Sequence, residues 1–180
     1  MSPHLSPHDT REQPAILVVD DDPMVRDIVV EAIRFGGFEA DACGDGAEAL
    51  ERNATANYDL IVTDMRLPSL DGLSLIKRLK ASMSNTDVIV MTGYGSIENA
   101  VECMKAGAIE YLIKPFTVDQ IQVAVKKAIE HRELRQRALE REFYRELSYV
   151  DGLTGVHNRR YLDEALAAEV AKSQRTGDPF

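Results

Sequence analysis

Three short runs, "AILVV" at 15–19, "DLIVT" at 59–63 and "DVIVMT" at 87–92, are almost continuously apolar and rich in β-branched residues. A strand with one wet face alternates apolar and polar side chains, so runs like these need a sheet covered on both faces, the normal condition of a parallel one. Two weaker runs, "FEADAC" at 38–43 and "AIEYLI" at 108–113, complete a set of five. Amphipathic helical stretches lie between them. "PMVRDIVVEAIRFGG" opens on Pro23, closes on Gly36 and Gly37, and puts Val25, Ile28, Val29, Ala32 and Ile33 on one stripe. Asp45, Asp71 and Ser96 stand where the next three helices need caps, and Glu98 and Gly107 mark the first turn and the end of the last of them. Regular strand-helix alternation implies right-handed crossovers with helices on both faces. The expected fold is α/β: a doubly wound, five-stranded parallel sheet over residues 14–130.

From Val118 to about Ser148 there is no Gly or Pro, and oppositely charged neighbours such as Glu133 and Arg137 recur, so the last helix is expected to run on well past the sheet. Its apolar residues, Ile121, Val125, Ala128, Ile129, Leu139, Phe143, Leu147 and Val150, form a thin stripe interrupted at Arg132 and again at Arg135 or Gln136. Residues 131–150 therefore read as a helical linker, either a solvated spacer or one strand of a parallel two-chain coiled coil.

Composition narrows the function. The net charge of -9 is the wrong sign for a chain that neutralises phosphates, so nucleic acid is not an expected partner. No run approaches the roughly 18 apolar residues of a membrane span. "MSPHLSPHDTREQP" lacks the apolar centre of a secretory signal, so residues 1–13 read as a disordered leader and the expected location is cytoplasmic. Cys43 and Cys103 have no CxxC spacing and read as reduced packing residues, while His4, His8, His131 and His157 have no readable metal or catalytic partners.

In a doubly wound sheet, chemistry collects at the carboxyl ends of the strands. Asp20, Asp21 and Asp22 follow the first strand, Asp64 the third, Thr92 the fourth, and Lys114 with Pro115 the fifth. Crowded carboxylates repel one another and resist desolvation, and a hard divalent cation relieves both problems. One acid is then free to act as a nucleophile toward phosphorus, with Lys114 and the Thr92 hydroxyl meeting the charge on the transferred group. Asp64 stands alone on the central strand, whereas the adjacent Asp20 and Asp21 suit a shared metal, so Asp64 is the expected nucleophile. Asp22 reads as a helix-start residue.

"ILVVDDDP", "DLIVTDMRLPSLDG", "VIVMTGYGS" and "EYLIKPF" together resemble the receiver domain of two-component response regulators, and "TGYGSIENAVECMKAGAIEYLIKPF" resembles its nitrogen-regulatory branch. The resemblance implies a flavodoxin-like sheet of order 2-1-3-4-5. It implies Mg²⁺ on Asp20, Asp21, Asp64 and the Arg66 backbone carbonyl, and a phosphoryl group accepted on Asp64 from a sensor histidine kinase. It gives Thr92 and Lys114 the sensing of that group and makes Tyr111 a switch aromatic that swings inward. Homodimerisation through helix four, strand five, helix five and the linker helix follows as a plausible output. Pro68 and Asp71-Gly72 lie where this family shapes the loop after the phosphorylated strand, and Arg66 and Tyr94 flank the site.

"DGLTGVHNRRYLDE", beginning at Asp151, resembles the entry to GGDEF domains, the catalytic module of diguanylate cyclases, through Asp151, Leu153, Thr154, Gly155, Asn158, Arg159 and Arg160. Residues 151–180 then read as the truncated start of such a domain, with Leu162, Leu166 and Val170 forming a stripe that needs a sheet to cover it. The GG[DE]EF string itself does not occur before Phe180, so this stretch carries no cyclase site. Two other readings compete. A haloacid-dehalogenase-like phosphohydrolase would use Asp20 and Asp22, but it expects Thr or Val at Met24 and acids after the lysine, where "KPFTVDQ" offers only Asp119. A stand-alone phosphorylation-dependent interaction module needs no output domain at all.

Overall fold

The computed structural model describes residues 13–93, 97–149 and 156–176. Residues 1–12 with His4 and His8, Tyr94, Gly95 and Ser96, and Val150, Asp151, Leu153, Thr154, Gly155 and Gly177 lie outside the described residues.

Strands and helices alternate as β1 (Ile16–Val19), α1 (Pro23–Phe35), β2 (Ala40–Cys43), α2 (Gly46–Ala56), β3 (Leu60–Asp64), α3 (Gly72–Ala81), β4 (Asp87–Thr92), α4 (Ile97–Ala106), β5 (Glu110–Ile113) and α5 (Val118–Leu147), with α6 (Arg159–Thr176) beyond. All neighbouring strands are parallel, in the order β2-β1-β3-β4-β5. The fold is the flavodoxin-like sheet that the apolar runs and the motifs implied.

Each buried strand feeds two cores because successive side chains leave a strand on opposite sides. Ile16, Val18, Leu60, Val62, Ile89 and Met91 face α1 and α5, where Val29, Ile33, Ile121, Val125 and Ile129 close over them. Leu17, Val19, Ile61, Val88 and Val90 face the other way, onto Ala49 of α2, Leu75, Ile76 and Leu79 of α3, and Cys103 of α4. Both cysteines are free and buried, as packing residues.

The helices begin where their caps direct. Asp22 accepts from the Met24 N–H at 2.9 Å, Asp45 from Ala47 at 2.7 Å, and Asp71 from Ser74 at 2.7 Å, so each carboxylate satisfies an orphan first-turn donor. Gly107 ends α4 with φ +109, a conformation in which a Cβ would be strained. One expectation fails on α1: Ile28 is 48% exposed, while Val30, at the other edge of the stripe, is covered.

The chain divides into two compact units within α5, between Arg132 and Glu133. Arg132 corrects the reading of the linker stripe. It is a buried anchor: its guanidinium meets Asp59 Oδ1 at 2.6 Å and donates to the Asn85 carbonyl. The second unit holds the rest of α5, where Glu133 and Arg137 pair at 3.2 Å and Leu134 and Leu139 are exposed, and α6. Asn158 joins the two helices there, donating to the Ser148 carbonyl at 2.7 Å and accepting from the Tyr161 N–H at 3.2 Å. Tyr161 stacks on His157 and meets Tyr149 edge-on. Leu162 and Leu166 are 64% and 59% exposed, so the apolar stripe of α6 is uncovered at these two positions, while Val170 is half-buried.

Candidate functional site

Sheet register brings the chemistry together. Val19 pairs with Thr63, so Asp20 leaves β1 level with Asp64 at the end of β3. Asp64 pairs with Met91, placing Thr92 one residue further, and Thr92 pairs with Ile113, placing Lys114 one beyond that. Residues scattered over nearly a hundred positions thus share one rim, at the carboxyl ends of the strands.

Asp20, Asp64 and Thr92 are all buried, and buried acids need partners. Lys114 supplies one to both: its Nζ lies 2.6 Å from Asp20 Oδ2 and 2.5 Å from Asp64 Oδ1. The remaining oxygens are held by the backbone. Asp20 Oδ1 accepts from the Asp22 N–H at 3.0 Å, and Asp64 Oδ2 from the Arg66 N–H at 2.6 Å. Asp21 is exposed beside them, and Asp22 is occupied with its cap.

One ammonium shared by two carboxylates leaves the rim short of positive charge. Burial holds Asp20 above the ordinary carboxylate range, although the bonds from Lys114 and the Asp22 N–H oppose the shift. Burial pulls Lys114 down, but its hydrogen bonds to Asp20 and Asp64 outweigh that and hold it above the ordinary lysine value. The two directions agree once the rim is taken whole: the lysine gains two partners, while Asp20 has only a share of one. Such a site favours a further cation. No group of three or more metal-ligating side chains closes on one point among the described residues. One or two carboxylates, a backbone carbonyl and water are the set that Mg²⁺ prefers, and Asp20, Asp21 and Asp64 can provide the acids.

The loop after β3 is tightly built. The Gly72 N–H donates to the Met65 carbonyl at 3.0 Å, and a Cβ on Gly72 would stand 2.5 Å from the Asp64 carbonyl oxygen, so only glycine lets α3 start this close to the acid. Across the loop, Asp45 accepts from the Ser69 N–H at 3.2 Å. Tyr111 packs its ring against the second core and buries its hydroxyl, which finds no hydrogen-bond partner among the described residues. Burial raises its pKa, and the Thr92 hydroxyl opposes the shift.

Three contacts were not read from the sequence. They are the Arg26 guanidinium on the Asp20 carbonyl at 2.8 Å, the bridge from Asp45 to Ser69, and the Asp59–Arg132 pair at the far end of β3. Only the last left a signal, a lone arginine in an otherwise apolar helical stripe.

The model of the family described as "Response regulator receiver domain" matches residues 16–126. Among curated proteins, the chain is similar to the regulatory protein AtoC of Escherichia coli K12, at 35% identity over 67% of this chain and 26% of that one. It is similar to the transcriptional regulatory protein ZraR of the same strain, at 38% identity over 68% of this chain and 28% of the relative. The chain therefore spans about a quarter of the length of these relatives. Among solved structures, the Francisella response regulator 1452 receiver domain aligns with TM-score 0.63 at 37% identity, covering 66% of this chain and 98% of that one. The beryllofluoride-activated NtrC4 receiver domain dimer aligns with TM-score 0.62 at 32% identity, over 66% and 98%. With the matched stretch covering both the sheet and its acidic rim, this chain belongs to the receiver domains of two-component response regulators.

Proposed function

We propose that this chain accepts a phosphoryl group on Asp64 from a sensor histidine kinase and uses it to control an output joined through α5. The observation that carries the reading is the Lys114 ammonium spanning Asp20 and Asp64 at 2.6 and 2.5 Å. A carboxylate at a cation-poor rim, with one ammonium shared between two acids, is suited to attack phosphorus. An Asp64 oxygen forms the new P–O bond as the P–N bond to the kinase histidine breaks and the imidazole keeps the electron pair. Lys114 then follows the negative charge from the carboxylate onto a phosphoryl oxygen, and the Thr92 hydroxyl donates to another. Mg²⁺, held by Asp20, Asp21, Asp64 and the Arg66 carbonyl, supplies charge neutralisation when bound. Tyr111 beside Thr92 is the group that registers the change.

The test is phosphoryl transfer to the purified chain in Mg²⁺, followed by mass spectrometry of the 64-containing peptide. A phosphoryl mass gain that Asp64→Asn abolishes is the expected result, and label on any other residue overturns the reading.

For the output, a diguanylate cyclase is supported by the segment starting at Asp151 and by α6, whose exposed Leu162 and Leu166 await a covering surface. Homodimerisation through α4, β5, α5 and the linker helix is the route by which two such domains would meet. A transcriptional output is favoured instead by the names of the curated relatives, which describe proteins of which this chain spans only a quarter. The coding sequence past Phe180 decides between them: a GG[DE]EF string supports the cyclase. Light scattering with beryllofluoride and Mg²⁺ tests the dimer, and an unchanged mass sinks it.

A further inference from the structure

Arg26 lies in the first turns of α1, and one guanidinium nitrogen donates to the backbone carbonyl of Asp20 at 2.8 Å. The side chain is half-buried and reaches the turn through room left by Gly44, where a Cβ would stand 3.1 Å from that same nitrogen. The carbonyl so held is one end of the peptide whose other end is Asp21. The Asp20 carboxylate is itself fixed twice, by Lys114 at 2.6 Å and the Asp22 N–H at 3.0 Å. The direction of the exposed Asp21 carboxylate depends on that peptide plane.

We infer that Arg26 is a positioning residue for the acid pair: by holding the Asp20 carbonyl it sets the angle between the two carboxylates, and with it their affinity for a divalent cation. The inference rests on the phosphoacceptor reading above and adds to it a residue outside the rim. Groups that orient metal ligands from behind typically matter by about 10- to 100-fold in affinity. The charge of Arg26 acts in the opposite sense, since a cation near the acids repels a second one, so the two roles predict opposite signs.

Calorimetric titration of Mg²⁺ into the full chain separates them. Arg26→Met is expected to bind Mg²⁺ about 10-fold more weakly. Arg26→Lys, which keeps the repelling charge but loses the planar fork, should also bind more weakly than wild type. Gly44→Ala crowds the guanidinium without altering α1 and should weaken binding less, and adding it to Arg26→Met should cost nothing further. The rise in melting temperature on adding Mg²⁺ should shrink in the same order, which a merely structural loss would not produce. Unchanged or tighter Mg²⁺ binding in Arg26→Met overturns the inference; should that variant fail to fold, unchanged binding in Gly44→Ala does so. A wild-type chain that binds no Mg²⁺, or takes label away from Asp64, overturns the phosphoacceptor reading and this inference with it.

Discussion

The two ends of β3 each bury an aspartate against a basic residue from far along the chain, yet they are built to opposite purposes. At the amino end, Asp59 meets the Arg132 guanidinium at 2.6 Å with one oxygen and the Ala15 N–H at 2.9 Å with the other, while its own N–H and carbonyl bond to Ala15 and Asp87. The Asp59–Arg132 pair and three strand starts are tied together there. About 16 Å away along the strand, two acids share Lys114, and burial holds Asp20 above the ordinary range. A closed ion pair contributes a fixed geometry; an unbalanced one favours incoming positive charge.

Breaking the closed end should have the largest effect. Arg132→Met leaves Asp59 buried and unpaired and should lower stability by about 3–5 kcal/mol in chemical denaturation. Asp59→Leu added to it should recover part of the loss, because well-packed apolar residues can replace a buried pair. Lys114→Met, at the more accessible rim, should cost less, about 1–3 kcal/mol. Mg²⁺ should restore much of the stability of Lys114→Met and none of that of Arg132→Met, and equal responses to Mg²⁺ would break the comparison.

Asp20→Asn sharpens it from the other side. A carboxyl whose folded pKa is raised contributes its full stability below the ordinary value of 3.8 and loses it as pH climbs through the folded value, so at neutral pH the charged Asp20 is a net cost. Asp20→Asn should therefore melt about 2–4 °C higher than wild type at pH 7, with the gap closing as pH falls toward about 4. A wild type more stable than Asp20→Asn across that window would mean that Lys114 satisfies both acids after all. Smallest of all, Leu166→Lys on the uncovered face of α6 should change stability by less than about 0.5 kcal/mol.

The apolar runs and caps made the sheet legible because local rules and tertiary packing agree there: a strand buried on both faces has no other composition open to it. The rim was legible for a related reason, since acids, a hydroxyl and a lysine placed just after strands are brought together by register alone. What stayed hidden depended on side-chain reach. Arg132 looked like a break in a stripe because a buried guanidinium is recognisable only once Asp59 is seen opposite it. Arg26 carried no signal, since a basic residue early in a helix is ordinary until its guanidinium is found on the Asp20 carbonyl. Ile28 was misplaced because it sits at the margin of its face, where one helical step decides between core and water.

The three consecutive aspartates, identical as letters, carry different freedoms to vary. Asp22 spends its carboxylate on the Met24 N–H, a task that Ser, Thr or Asn performs nearly as well. Asp20 touches Lys114 and the backbone at once and tolerates no such exchange without losing charge at the rim. Under random substitution the run should therefore erode from its carboxyl end, the third position drifting among small polar residues while the first stays acidic.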